Sequence, residues 1–124
     1  MVFFGGELHA DARLVEASIR TAQKRFDEAI VHYDAALART PESRRQDRAS
    51  ILERRGYAHR ALGDWPQSER DWLEALDVME VTDDPNRFSK IAWETAYQLA
   101  WQNRLSEGAE LLEKTLTQVG DEPR

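Results

Sequence analysis

The chain has 124 residues, with 41% hydrophobic and 32% charged side chains, and its 17 basic and 23 acidic groups leave a net charge of −6. That is the length of one domain, too apolar for a disordered chain and too acidic for the counterion displacement that nucleic-acid binding requires. There is no cysteine, hence no disulfide or zinc–thiolate site; no apolar run approaches the roughly 20 residues of a membrane helix, and the start lacks the basic flank and apolar core of a signal peptide, which suits a cytoplasmic protein.

Only four prolines and six glycines interrupt a chain rich in Ala, Leu, Glu, Arg and Gln, which predicts an all-α domain. The predicted helices run over 8–24, 27–39, 43–62, 66–80, 85–102 and 105–119. In the first, Leu8, Ala12, Val15, Ile19 and Ala22 step by four, three, four and three, which makes one helical stripe. Phe26, Ala29, Tyr33, Ala36 and Leu37 mark the second. Thr40-Pro41-Glu42-Ser43 separates it from the third, which carries Ile51, Leu52, Gly56, Ala58 and Leu62. Gly63 can take the left-handed conformation that ends a helix, and Asp64 can cap the next one, which carries Trp65, Ser68, Trp72, Ala75 and Leu76. Asp84-Pro85 suits an N-cap followed by proline in the first turn of the fifth helix. There Ile91, Ala92, Thr95, Ala96 and Leu99 supply a core stripe. Asn103 is the tolerated substitute for glycine at the next turn. The first repeat has Lys24 at the matching place, a residue without glycine's freedom.

The second, fourth and sixth helices open alike. Phe26, Trp65 and Leu105 stand 39 and 40 residues apart, each followed by small and bulky residues at matching offsets. A near-constant period of this length reads as a helical repeat array. Ala17, Gly56 and Ala96 recur in the paired first helices, where small residues let two helices approach closely.

This pattern resembles the tetratricopeptide repeat family. In the second repeat Gly56, Ala61-Leu62-Gly63-Asp64-Trp65, Ser68, Trp72 and Ala75-Leu76 carry the resemblance. In the first, Phe26, Asp27-Glu28-Ala29, Tyr33, Ala36-Leu37 and Pro41 carry it. The third is weaker, with Ala96, Leu105, Gly108, Leu112 and Leu116. The resemblance implies a right-handed superhelical stack of three antiparallel helix pairs, an α-solenoid, with repeats at about 8–41, 43–81 and 85–120 in a single domain over 1–124. It also implies a scaffold that binds a peptide or helix of a partner protein in a concave groove, as adaptor, assembly factor or chaperone. The period exceeds the usual ~34 residues, with the excess at 43–49 and 83–87, similar to the longer Leu-Gly-Asn-type repeats. The family's clamp for chaperone carboxylates is not expected: its sites hold Leu14, Ser18, Arg54, Lys90 and Glu94, of which Lys90 alone agrees.

The candidate groove residues are Trp93, Tyr97 and Trp101, four apart on one helix face and surplus to its core stripe, with Lys90 beside them and Arg54, Tyr57 and Arg60 from the second repeat. The plainer alternative is that the aromatics pack against the preceding repeat or a chain end. Charge is segregated: residues 39–60 hold seven arginines against three acids, and residues 64–84 hold eight acids against Arg70 alone. That is either an arginine-lined surface for an acidic partner or two solvated faces that pair with each other. His9, His32 and His59 are scattered, and no phosphate loop, nucleophile elbow or His-Glu-x-x-His motif appears. No enzymatic activity, metal or cofactor is expected.

Repeat arrays leave apolar faces at their ends unless capped. Leu112, Leu116 and Val119 would lack cover on one side, the five residues after Val119 are too few for a seventh helix, and Phe3-Phe4 is an apolar tip. These residues are candidates for self-association. The alternative function is therefore a self-associating structural or regulatory domain, as a homo-oligomer or as a fragment of a larger protein.

Overall fold

A computed structural model describes residues 5–120, and they form six helices: α1 (Gly5–Ala22), α2 (Phe26–Ala38), α3 (Arg45–Ala61), α4 (Trp65–Val78), α5 (Pro85–Trp101) and α6 (Leu105–Val119). Consecutive helices pack on each other, so the fold is an all-α stack of three hairpins. The first helices of the hairpins are 17 or 18 residues long and the second helices 13 to 15. Of the extra residues, 45–49 and 85–87 fall in the first turns of α3 and α5, and 43–44 and 83–84 fall in the connections before them.

Each hairpin turns in the same way. Lys24, Gly63 and Asn103 have φ of 59°, 81° and 61°. The amide of each donates to the carbonyl three residues back (Thr21, Arg60 and Ala100, at 2.9 to 3.0 Å). The following amide donates five residues back: Arg25 to Arg20, Asp64 to His59 and Arg104 to Leu99, at 2.8 to 2.9 Å. These are three Schellman turns, which satisfy the last helical carbonyls. Lys24 adopts the left-handed form despite its Cβ, at a cost of roughly 1 kcal/mol. The expected caps are present: Asp64 accepts from the Gln67 amide at 3.2 Å and Asp84 from the Arg87 amide at 3.0 Å, with Pro66 and Pro85 in the first turns.

Inside each hairpin a small residue faces a large one. In the second, the Trp72 indole lies across the α3 backbone, fully buried, and its Nε1–H donates to the Glu53 carbonyl at 3.0 Å. A Cβ at Gly56 would fall 2.2 Å from that Nε1, so the glycine is obligatory while tryptophan stands opposite. The same register positions hold Ala17 with Tyr33, and Ala96 with Leu112. In the third hairpin the close approach is made by Gly108, whose Cβ would meet the Ala96 carbonyl oxygen at 3.0 Å.

Two cores join the hairpins. Ile51 and Ala58 of α3 reach back into a cluster with Ala10, Ala17, Ala29 and Tyr33. Phe88 and Ile91 of α5 reach back to Leu52, Trp72 and Ala75. A buried ion pair adds to the second hairpin. Arg55 grips Asp71 with Nε and Nη2 at 2.9 and 2.8 Å, and its Nη1 donates to Asp34 of α2 at 2.9 Å. Burial works against the Arg55 charge, but hydrogen bonds and attraction from Asp71 and Asp34 outweigh it and raise its pKa.

The apolar stripe of α1 points outward. Ala12 and Ala22 are exposed, Val15 is 61% exposed and Ile19 44%. The helix buries Ala10 and Ala17 instead, with Leu14 partly covered. Leu8, also assigned to that stripe, lies outside the described side chains. α1 has two apolar faces, and the face of small residues is the one that fits against α2.

Candidate partner-binding surface

α5 is aimed by its cap and by its core stripe. Ile91, Ala92, Thr95, Ala96 and Leu99 are all buried. That leaves Trp93, Tyr97 and Trp101 on the other side, 53%, 45% and 69% exposed. They form one continuous aromatic surface. Trp93 stacks on Tyr97 with ring centroids 5.1 Å apart and planes 11° from parallel, and Tyr97 meets Trp101 edge-on at 6.1 Å and 75°. Beside it runs a cleft of about 300 Å³ between α5 and α6, lined by Trp93, Ala96, Tyr97, Leu105, Gly108 and Leu112 among others. Leu112 lines it at the position where the second hairpin has Trp72.

The other candidate residues sit differently. Tyr57 packs edge-on against Trp72 at 5.0 Å. Arg60 lies over both rings, 5.2 Å from Tyr57 and 5.0 Å from Trp72, and its Nη1 is 2.7 Å from Glu94 of α5. The Lys90 ammonium is 3.6 Å from Glu53 and 5.6 Å from the Tyr57 ring centroid. Arg87 also reaches Glu53, at 3.3 Å. Tyr57, Arg60 and Lys90 thus tie α3 to α5. Burial pushes the Tyr57 hydroxyl up to about 12; Glu94 and Glu53 add to this, and Arg60 opposes it. Arg54 is exposed on the rim of a polar hollow shared with Glu53, Tyr57, Asp84, Arg87 and Lys90.

Of the candidates for self-association, Leu116 is exposed, Leu112 is half-buried in the cleft, and Val119 packs on the second core. Phe3 and Phe4 lie outside the described residues.

The arginine-rich segment is largely engaged within the chain. Arg44 pairs with Asp47 at 2.5 Å, Arg45 with Glu80 at 3.0 Å, and Arg48 donates to the carbonyls of Leu37 and Thr40 at 3.3 and 2.8 Å. The basic and acidic stretches therefore meet at Arg45–Glu80 and Arg55–Asp71. Arg13 bridges His9 and His32 at 3.2 and 3.1 Å. Among the described residues no group of three or more His, Asp or Glu is placed to hold a metal ion, and no helix is long and apolar enough to cross a membrane.

Sequence reasoning missed Gln98 and Asp71. Gln98 is buried, accepts from the Ser68 hydroxyl at 3.3 Å and donates to the Trp65 carbonyl at 3.1 Å. Only the repeat register could have flagged it, by aligning it with buried Ala58 one repeat earlier. No protein-family model matches the chain, and no curated protein matches it.

Proposed function

We propose that the protein is an interaction module of the tetratricopeptide-repeat type that binds a peptide or helix of a partner protein, as an adaptor, assembly factor or chaperone of the cytoplasm. The observation that carries this reading is the exposed trio Trp93, Tyr97 and Trp101 beside the α5–α6 cleft. Three large aromatics cost solvation where they stand. Burying one such ring gains about 1.5–3 kcal/mol, and tryptophan and tyrosine are enriched among the residues that dominate interfaces. The cleft is apolar and elongated along two helices, which fits a helical or extended segment with apolar anchors. The module binds and does not catalyse in this reading.

The test is a pull-down with wild type and with the Tyr97→Ala/Trp101→Ala variant, followed by binding measurements on any purified partner. Loss of the partner with unchanged far-ultraviolet circular dichroism is expected. Retention of the same partners at the same affinity would sink the reading. A second reading, a self-associating domain, is favoured by a separate observation: apolar faces stand uncovered at opposite ends of the stack.

A further inference from the structure

The hairpins are joined by one repeated geometry. The first helix of each later hairpin lays a stripe on the face of the hairpin before it. In α3 the stripe includes Ile51 and Ala58, buried in the core shared with α1 and α2. In α5 it includes Ile91, Glu94 and Gln98: Ile91 enters the core of the second hairpin, Glu94 meets Arg60, and Gln98 meets Ser68 and the Trp65 carbonyl. Shifted by the repeat, 40 and then 39 positions, these three fall on Ala12, Val15 and Ile19 of α1. Those are the outward residues of α1, and no hairpin precedes them among the described residues.

The receiving face obeys the same register. In the second hairpin it includes Arg60, Trp65 and Ser68, all touching α5. One repeat on, the positions are Ala100, Leu105 and Gly108, with Tyr97 and the cleft beside them. Ala100 and Leu105 are exposed.

The substitutions at the two ends match. The Arg60–Glu94 pair, 2.7 Å apart inside the stack, corresponds to Ala100 and Val15. The Ser68–Gln98 hydrogen bond corresponds to Gly108 and Ile19. Where the inner joint has these two polar pairs, the ends have apolar or small residues on both sides. An apolar joint of this kind already exists between the first and second hairpins, where Ala29 and Ala58 hold the Ser68 and Gln98 positions and share one buried cluster. A charge left on either end alone would be buried without a partner, so loss on both ends together keeps the two faces compatible.

We propose that α1 of a second copy seats on the α5–α6 face of the first, in the register by which α3 and α5 seat on the hairpins before them, so that copies stack head to tail. The two surfaces differ, so the contact is heterologous and propagates into a filament, or into a ring where the rotation closes. The inference rests on reading the α5–α6 surface as an interface, and variants on α1 separate the two because they leave the aromatic trio untouched.

The experiment is sedimentation velocity and light scattering on the full chain over a wide concentration range. Wild type is expected to grow from one protomer to two and beyond as concentration rises. Ile19→Glu removes the donor stripe and Leu105→Glu the receiving face, so each is expected to stay a monomer with wild-type circular dichroism, both positions being exposed; Ile19→Lys serves as a second donor variant. An equimolar mixture of Ile19→Glu and Leu105→Glu is expected to form a one-to-one dimer and stop there, because each supplies the surface the other lacks. The double variant Val15→Glu/Ala100→Arg, which recreates the Arg60–Glu94 pairing between copies, is expected to associate where Val15→Glu alone does not. Wild type that remains a monomer throughout overturns the inference. So does an Ile19→Glu variant that associates like wild type, which would mean that copies pair through another surface. Monomeric wild type that still captures a partner through Trp101 overturns the head-to-tail stack and leaves the proposed function standing.

Discussion

In the second hairpin Trp72 is buried over Gly56 and Asp71 is buried beneath Arg55; in the third, the matching positions hold Leu112 and Ala96, and Leu111 and Thr95. The second hairpin keeps its large aromatic inside and faces both neighbours with charges that find partners. The third fills its interior with smaller residues and carries Trp93, Tyr97 and Trp101 outside. The repeat plan is the same in both. The difference teaches that a residue's place in the stack decides what its position is used for: a groove-side arginine in an inner hairpin is a tie, and the alanine replacing it at the end is part of an open face.

The sharpest way to break the comparison is at Asp71. Asp71→Ala removes both hydrogen bonds of the bidentate pair and leaves Arg55 only Asp34, so the cost in urea unfolding is expected near the low end for a broken buried pair, about 3 kcal/mol. Leu111→Ala, at the same place in the third hairpin, should cost far less because that residue is only half-buried. Next come the two close-approach glycines. Gly56→Ala drives a Cβ into the indole and should cost about 3 kcal/mol, the upper end for an overpacked site. Gly108→Ala meets a single carbonyl oxygen, and the helix propensity gained offsets most of that contact, so a change within about 1 kcal/mol is expected. Equal losses at the two glycines would contradict the difference in packing.

Smaller effects follow from a turn and a titration. Lys24→Gly releases the left-handed strain of the first turn and is expected to raise stability by up to about 1 kcal/mol, seen as a higher Tm. The Tyr57 hydroxyl is raised above the ordinary value of about 10, to about 12. The fold therefore holds this proton more tightly than the unfolded chain does. The stability that results is complete below the unfolded pKa and is lost as pH rises through the folded one. Between pH 10 and 12, wild type should lose stability more steeply than Tyr57→Phe; parallel curves would show that burial does not raise the phenol's pKa.

Much of this was legible in advance, for identifiable reasons. Gly63, Asn103, Asp64 and Asp84-Pro85 are strong local signals, and the six helices end within three residues of where they place them. The repeat of Phe26, Trp65 and Leu105 located the hairpins. The exposure of Trp93, Tyr97 and Trp101 followed from a core stripe that was already complete without them. The orientation of α1 was not legible from periodicity, because periodicity finds a stripe but does not say which of two apolar stripes meets a neighbour. The acidic run at 64–84 hid Asp71, since one buried carboxylate looks like its solvated neighbours until a guanidinium from another helix is seen to reach it. The ties of Tyr57 to Lys90 and of Arg60 to Glu94 were not legible, because those partners come 33 and 34 residues later in the chain.

Packing between helices adjacent in the chain has a consequence for how the molecule is made. Most contacts close over short stretches of sequence, so folding meets few long loop closures and is expected to be fast. The hairpins emerge from the ribosome in the order in which they pack, so each arrives beside the one whose face it covers. Synthesis thus proceeds as an ordered assembly, in which the newest hairpin covers the face most recently exposed.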